Sequence, residues 1–483
     1  MTAPCPVEGV EGKKSVKDPT LVSWTGDPFY LPAHKAFFFS ANVPAGNYSV
    51  KITLGSQDTA VRATIRAKQR RLMIEDWQVP AGQTQTREIA VNRRVRGSFV
   101  QDSTREGGYV DLDDRLTIEF NGNHPVVTAL EITQVDTGIT VYLFGNSTCV
   151  NQPVEPWSTW GMNFPRFFKP GVFISNQAES GLSASSFLGA RMTQVIATIK
   201  PGDYLFAEFG HNDAKSATST ANYSANLTTI MKAAQAKGAI GVLVTPTARN
   251  FFTGTKADNS LLDPFVAKVK AVAASMNINY LDLSALSISF IEALYPNQKR
   301  AYTVFPAHTV PGQLTSVSDG THWNDYGGYE LAKGMATLAK RKNLTFTKFL
   351  TDDYVDFDPS KPDPYASFQL PFSPFLGAYV PPDSAVGPNL VPDGLAAAMS
   401  WIDCRIEAAS FRQGGLTLTL MGTREGDQVR VFTIDGALVA SNRLHGGATE
   451  DQTISLRNGT SHGVHLVELL RDGRVLDERK ILP

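Results

Sequence analysis

Cysteine is nearly absent: three residues in 483, Cys5, Cys149 and Cys404, lie far apart and show no Cys-x-x-Cys spacing beside histidine partners. Neither a disulfide framework nor a zinc site is indicated. The eight histidines are scattered as well, so no protein-built metal site is expected. Long apolar runs are also missing. No window reaches the roughly 18–20 apolar residues that a membrane-spanning helix needs, and the opening MTAPCPVEGVEGKK has no apolar secretion core. The chain is therefore either cytoplasmic or one whose signal has been removed. Nor is there an excess of one charge: 45 Lys and Arg stand against 46 Asp and Glu, which gives no electrostatic grip on nucleic acid or an anionic membrane. A single core stops growing at about 250–300 residues, so two or three domains are expected.

What is present changes texture along the chain. From Phe29 to about Gln134, period-two runs such as KAFFFSANVPAGNYSVKITLG, VRATIRAKQRRLMIED, REIAVNRRV, RLTIEF and TALEITQV are cut by Pro-Ala-Gly and Asn-Gly turns. They read as an antiparallel β-sandwich over residues 1–136, expected to fold by itself. From Gly138, ITVYLFG, GVFISNQA, DYLFAEFG, IGVLVTP and INYLDL are apolar on both alternate positions, as strands covered on both faces must be. Helical stretches lie between them: ANLTTIMKAAQAKG, DPFVAKVKAVAASMN and YGGYELAKGMATLAKRK. This alternation over residues 137–350 predicts a parallel, doubly wound sheet, whose ligands bind beyond the carboxyl ends of the strands. Residues 351–400, rich in Pro, Asp and aromatics, read as a strap lying on a domain surface. From 401 the pattern returns to period two, and the Asp435-Gly436 and Asp472-Gly473 pairs predict hairpins of a small terminal β-sandwich.

Three polar clusters fall at strand ends of the central block. Ser147 follows ITVYLFG directly, Gly210-His211-Asn212-Asp213 follows YLFAEF, and Asp319 and His322 lie in a loop expected to enter a helix. A serine hydroxyl needs an adjacent base, and a His held by a carboxylate supplies one. Asp319 and His322, three apart, can bring base and orienter to Ser147 on one short segment. The developing oxyanion needs fixed donors. Candidates are the backbone N–H of Ser147, the backbone N–H of Gly181 and the side-chain amide of Asn212.

These residues carry a resemblance. Gly145-Asn146-Ser147, Gly181, Gly210-His211-Asn212-Asp213 and Asp319-Gly320-Thr321-His322 resemble, in chain order, the four sequence blocks of the SGNH (GDSL-type) hydrolases. SNQAESGLSASSF, KPGDYLFAEFGHND and DGTHWNDYGGYELAKGMA are similar to the rhamnogalacturonan acetylesterase branch, over about residues 139–345. The resemblance implies a three-layer, flavodoxin-like α/β domain with Ser147 as nucleophile, Asp319 and His322 completing the triad, and Ser147, Gly181 and Asn212 forming the oxyanion hole. It implies an acetylated polysaccharide or oligosaccharide as partner and no cofactor. The first β-block resembles galactose-binding-like modules, and the last resembles type IX secretion sorting domains, which implies a secreted or cell-surface protein. One position departs from the pattern: Asn146 stands where the family usually has Asp, and it is read as a turn-fixing amide.

Alternatives stand beside these readings. His211 supports its loop or serves as a second base, the former being favoured. Trp157, Trp160 and Trp323 offer stacking faces to a sugar or are packed for their apolar area. Arg249 and Asn250 meet an acidic sugar or line a solvated loop, and the Asn121–Pro125 turn and the Arg93-Arg94 pair are read as solvated surface. For function, the rivals to deacetylation of pectic rhamnogalacturonan are deacetylation of xylan by the same chemistry, and a carbohydrate-binding protein with an inactive hydrolase-like domain.

Overall fold

In the computed structural model the predicted alternation becomes one five-stranded parallel sheet: β3 (Ile139–Gly145), β4 (Val172–Asn176), β5 (Tyr204–Glu208), β6 (Ile240–Val244) and β7 (Asn279–Leu281), in the spatial order β4-β3-β5-β6-β7. The structure describes residues 13–14, 21–30, 36–94, 115–307, 309, 316–373, 405–412, 415–421, 426–433, 438–444, 449–454, 465–471 and 474–481. Strand β3 has β4 on one side and β5 on the other, so the winding reverses around it. The crevice at such a switch point opens at the carboxyl end of the strand, and the residues just beyond β3 are Asn146 and Ser147.

Alternate residues of the strands enter different cores, which is why the strand sequences look uniformly apolar. Val141, Leu143, Phe206 and Val244 join one core with α4 (Leu283–Ala293) and α5 (Asp325–Arg341). Tyr142, Phe144, Leu205 and Leu243 join the opposite core with α1 (Ala190–Thr198), α2 (Ala217–Ala236) and α3 (Asp263–Met276). Burial of each large side chain contributes about 1.5–3 kcal/mol. The helices α2, α3 and α5 occupy the segments read as helical, and α1 and α4 were not foreseen. Helix α4, LSALSISFIEA, buries two serines, Ser284 and Ser287, and leaves Ala285 exposed and Ile288 half-buried, so its sequence shows no clear one-sided period. Local signals set the ends: Asn324 caps α5 by accepting from the Gly327 N–H at 3.0 Å, and Lys340 and Arg341 sit in its last turn. Gly327 lets α5 press on its neighbours, since a Cβ there would lie 2.1 Å from the Ala301 carbonyl oxygen.

One correction concerns the third cluster. Asp319 and His322 lie not in a loop but on a strand, β8 (Val317–Trp323), paired antiparallel with Tyr302–Phe305 and running into α5. Extended pairing fixes the side-chain directions that a loop would leave free.

The amino-terminal part forms two antiparallel sheets. One orders Lys13–Lys14, Leu21–Tyr30, Val126–Val135, Gly46–Ser56 and Gln83–Arg93; the other orders Phe37–Asn42, Arg115–Asn121, β1 (Val61–Ala67) and β2 (Arg71–Val79). Val50, Ile52 and Leu54 from the first share a core with Ile65, Trp77 and Ile118 from the second. These sheets and the α/β block belong to one compact unit, and the described residues from 405 onward belong to another. Residues 352–373 run over α5: Phe357 is buried against Phe290, Tyr326 donates to the Asp363 carbonyl at 2.7 Å, and Lys333 pairs with the Asp363 carboxylate at 2.7 Å. The rest of the expected strap, to residue 400, lies outside the described residues. The second unit contains a three-stranded and a four-stranded antiparallel sheet, with Val429, Val431, Val467 and Leu469 buried. The Asp435-Gly436 and Asp472-Gly473 pairs lie outside the described residues.

Candidate active site

Strand β3 ends at Gly145, and the chain turns on Asn146. The Asn146 Oδ1 accepts from the Thr148 N–H at 3.0 Å, and its carbonyl accepts from the N–H groups of Cys149 and Val150, both at 3.0 Å. An Asn side chain bonded to the backbone two residues on is a turn-forming device, so this amide does fix the corner. Within residues 141–150 only Ser147 reaches solvent. From β8, the His322 Nε2 lies 2.7 Å from the Ser147 Oγ, and the His322 Nδ1 lies 2.6 Å from the Asp319 Oδ2. The Asp319 Oδ1 accepts from the N–H groups of Thr321 at 2.8 Å and His322 at 3.1 Å. Burial raises the Asp319 carboxyl, but the His322 ring and these backbone donors outweigh it and hold the group well below the usual carboxylate range. A hydroxyl, an imidazole and an ionised carboxylate thus stand in a line suited to removing a proton from Ser147.

The loops that carry the oxyanion candidates are tied to one another. The Glu179 N–H donates to the Gly145 carbonyl at 3.3 Å, and the chain then turns through Gly181, whose φ of +84° is left-handed. One N–H of the Asn212 amide goes to the Leu182 carbonyl at 3.0 Å, and its Oδ1 accepts from Lys215 at 2.9 Å. The amide is thereby oriented with its second N–H still to give. Asp213, fully buried, accepts from Gly210 and Ala184, each at 3.0 Å, and burial pushes its carboxyl up to about 6. It stitches two of the loops together.

A family model, the GDSL-like Lipase/Acylhydrolase family, matches residues 143–331, a span running from before Ser147 to beyond His322. Rhamnogalacturonan acetylesterase RhgT of Bacillus subtilis is 34% identical over 205 residues, which cover 41% of this chain and 88% of that protein. The chain belongs to the GDSL-like lipase/acylhydrolase family. A second Bacillus subtilis protein, named "Probable rhamnogalacturonan acetylesterase YesY", is 29% identical over 43% of this chain and 92% of its own length. The solved structure of protein YXIM of Bacillus subtilis covers 64% of this chain and 81% of its own, at 23% identity and a TM-score of 0.40. By the family match and these two curated relatives, residues 143–331 form an esterase domain of the GDSL-like family.

Two of the expected substrate contacts are corrected. Trp160 is 1% exposed and Trp323 fully buried, so neither can stack on a sugar. The Trp160 indole donates to the Glu208 Oε2 at 2.8 Å, and Trp323 stacks on Tyr302 at a centroid distance of 4.2 Å. Both were drawn inward because large apolar area outweighs a single indole N–H that can be satisfied inside. Arg93 and Arg94 are also buried, not solvated, and Arg94 donates to the Asn176 carbonyl at 3.2 Å. His211 is buried, and burial together with the charges of Arg249 and His322 pulls it down to about 3; it stays neutral beside the candidate base. Arg249 is half-buried near Asp319, and its neighbour Asn250 is pinned to β8 by an N–H to Gly320 carbonyl bond of 2.8 Å. This cation stands at the edge of the triad.

Sequence reasoning missed Glu208. It is fully buried at the end of β5, where burial raises its carboxyl; it takes the Trp160 N–H and lies 2.9 Å from the Thr148 hydroxyl, one residue past Ser147. A lone carboxylate in the otherwise apolar YLFAEF was the available signal. Among the described residues no group of three or more His, Cys, Asp or Glu side chains is arranged to hold a metal ion, and no helix is long and apolar enough to cross a membrane.

Proposed function

We propose that this chain removes O-acetyl groups from a plant cell-wall polysaccharide, foremost pectic rhamnogalacturonan, by a Ser-His-Asp mechanism. The observation that carries the reading is the unbroken line from Ser147 Oγ through His322 to Asp319, at 2.7 and 2.6 Å, at the carboxyl edge of the sheet. Ser147 attacks the acetyl carbonyl while His322 takes its proton; Asp319 keeps the ring in the tautomer that accepts at Nε2 and stabilises the imidazolium. The tetrahedral oxyanion lies among the N–H groups of Ser147, Gly181 and Asn212, each worth roughly 2.7–4 kcal/mol of barrier. His322 then passes its proton to the departing sugar hydroxyl, and water releases acetate by the reverse sequence.

The sugar is inferred from two supports. The relative RhgT carries rhamnogalacturonan in its name, and the half-buried Arg249 beside the triad suits a carboxylate-bearing sugar next to the acetylated one. A polymeric substrate of this kind places the work outside the cell. The test is acetate release from a panel of acetylated pectins, xylans and mannans, run with wild type and Ser147→Ala. Wild type releases acetate fastest from rhamnogalacturonan and the variant, still folded, releases none; undiminished turnover in the variant would sink the assignment.

A further inference from the structure

Four consecutive polar side chains, Lys68, Gln69, Arg70 and Arg71, are buried to between 2% and 5% exposure around the turn from β1 to β2 of the amino-terminal sheets. Lys and Arg are almost never buried unless paired. Lys68 and Arg70 also have left-handed φ angles of 53° and 56°, a conformation costing a residue with a side chain roughly 1–2 kcal/mol. Such a turn persists only where its contacts compensate; Lys68 and one arm of Arg71 find theirs within the amino-terminal sheets, at the carbonyls of Arg115 and Asn92, and the rest lie in the esterase domain. Gln69 donates to the Asn151 carbonyl at 2.6 Å; the Arg70 Nη1 donates to the carbonyls of Trp157 at 2.8 Å and Gln152 at 3.2 Å; Arg71 donates to the Ile174 carbonyl at 2.9 Å.

Residues 151–157 are the stretch that follows the nucleophile, and Gln152 returns to it: its Nε2 donates to the Ser147 carbonyl at 2.8 Å. The same guanidinium reaches the other limb of the triad. Its Nη2 lies 2.6 Å from the Glu155 carboxylate and 3.4 Å from the carboxylate of Asp325, the first residue of α5 and three beyond His322. One planar fork thus touches both the segment leaving Ser147 and the helix leaving His322. On the esterase side the bridge uses two backbone carbonyls and the carboxylates of Glu155 and Asp325.

We propose that Arg70, supported by Gln69, is a positioning residue of the esterase site: it clamps the segment after Ser147 to the helix after His322 and so keeps the Ser147 Oγ within reach of the His322 Nε2. The amino-terminal sheets are in this sense part of the catalytic apparatus and not a detachable module. The inference rests on Ser147 and His322 being nucleophile and base. Displacing a reacting group by about 1 Å costs on the order of a hundredfold in rate, and a clamp that sets this distance acts on kcat and leaves KM alone.

The experiment uses the full chain and a fluorophosphonate probe, which reports the reactivity of Ser147 without any sugar, alongside kcat and KM for 4-nitrophenyl acetate and thermal melting. Arg70→Met is expected to slow both labelling and kcat by roughly 10- to 100-fold, with KM unchanged within about threefold. Arg70→Lys, which keeps the charge but cannot span both limbs, should recover only part. Gln152→Met, which cuts the link to Ser147 without touching the amino-terminal sheets, should lose about tenfold, and the double variant should lose little more than the worse single one. A folded Arg70→Met that labels and turns over like wild type overturns the proposal. Should Arg70→Met not fold, wild-type labelling of Gln152→Met overturns it equally. Wild type that does not label at Ser147 removes the nucleophile reading itself, and the clamp with it.

Discussion

Replacing Asp319 by Asn tests the orienting role at a single atom. In the native site the Asp319 Oδ1 is committed to two backbone donors, Thr321 at 2.8 Å and His322 at 3.1 Å, while the Oδ2 faces the His322 Nδ1 at 2.6 Å. An Asn must keep its oxygen toward the two N–H groups, so its NH2 takes the place of Oδ2. Two donors cannot face each other, and the ring must then present its Nδ1 lone pair and carry its hydrogen on Nε2. That nitrogen can no longer accept the Ser147 proton. The same tautomer trap in a serine protease lowers kcat by about 10⁴, which corresponds to about 5 kcal/mol of barrier. Because the backbone bonds survive and the side chain is about a quarter exposed, the fold should lose no more than about 1–2 kcal/mol. Stability also changes in a defined pH window. Asp319 has a lowered folded pKa, so its contribution is present above the ordinary aspartate value and is lost as pH falls below it; the variant should melt with a flatter pH dependence there. The assay is initial acetate release at neutral pH with parallel melting curves. A folded Asp319→Asn enzyme within about tenfold of wild type would refute the argument.

Further outcomes follow from other contacts. Arg249→Met should raise KM for acidic oligosaccharides while leaving hydrolysis of neutral acetate esters unchanged; equal losses on both would argue against a substrate contact. Trp323→Phe should leave KM unaltered and cost about 1–3 kcal/mol in stability, through lost packing and the indole bond to Thr247; a selective rise in KM would speak against its burial. Glu208→Gln should fold and turn over nearly as wild type, because a neutral amide can serve Trp160 and Thr148, whereas Glu208→Ala should lose about 3 kcal/mol by urea melting. Glu330 in α5 is fully buried, and burial first, then Asp363, raises its carboxyl to about 8. A raised folded pKa gives a contribution that is full below the ordinary value of 4.5 and is lost as pH rises through 8. Glu330→Gln should therefore be the more stable form at pH 9, by a few kcal/mol, and a wild type whose melting temperature does not fall across that window would refute this.

The strands β3 to β7 were legible because each is covered on both faces, and the triad candidates because each follows or immediately precedes a regular element. Helix α4 was not legible, since its buried face carries Ser284 and Ser287 while Ala285, Ile288 and Ala293 lie exposed or half-buried, which blurs the amphipathic period. Trp160 and Trp323 were misread for a related reason: a large ring with one polar atom suits a binding face and a core equally, and only the neighbours decide. Arg93, Arg94 and the Lys68–Arg71 run were read as surface or passed over, because charged residues are normally solvated and nothing local announces carbonyl groups waiting in another part of the fold.

By itself the sequence determined the alternation of strands and helices, the turn at Asn146 and the chemical character of a candidate nucleophile in one segment and a candidate base and carboxylate in another. These are consequences of short-range periodicity and of residue chemistry, which a chain carries wherever it folds. Tertiary structure alone decided that Ser147 lies 2.7 Å from His322, that Asp319 and His322 stand on a paired strand, and that a turn about eighty residues upstream of Ser147 reaches the stretch that follows it. Such distances arise from the register of the sheet and from which buried polar groups find partners, and both are properties of segments far apart in the chain.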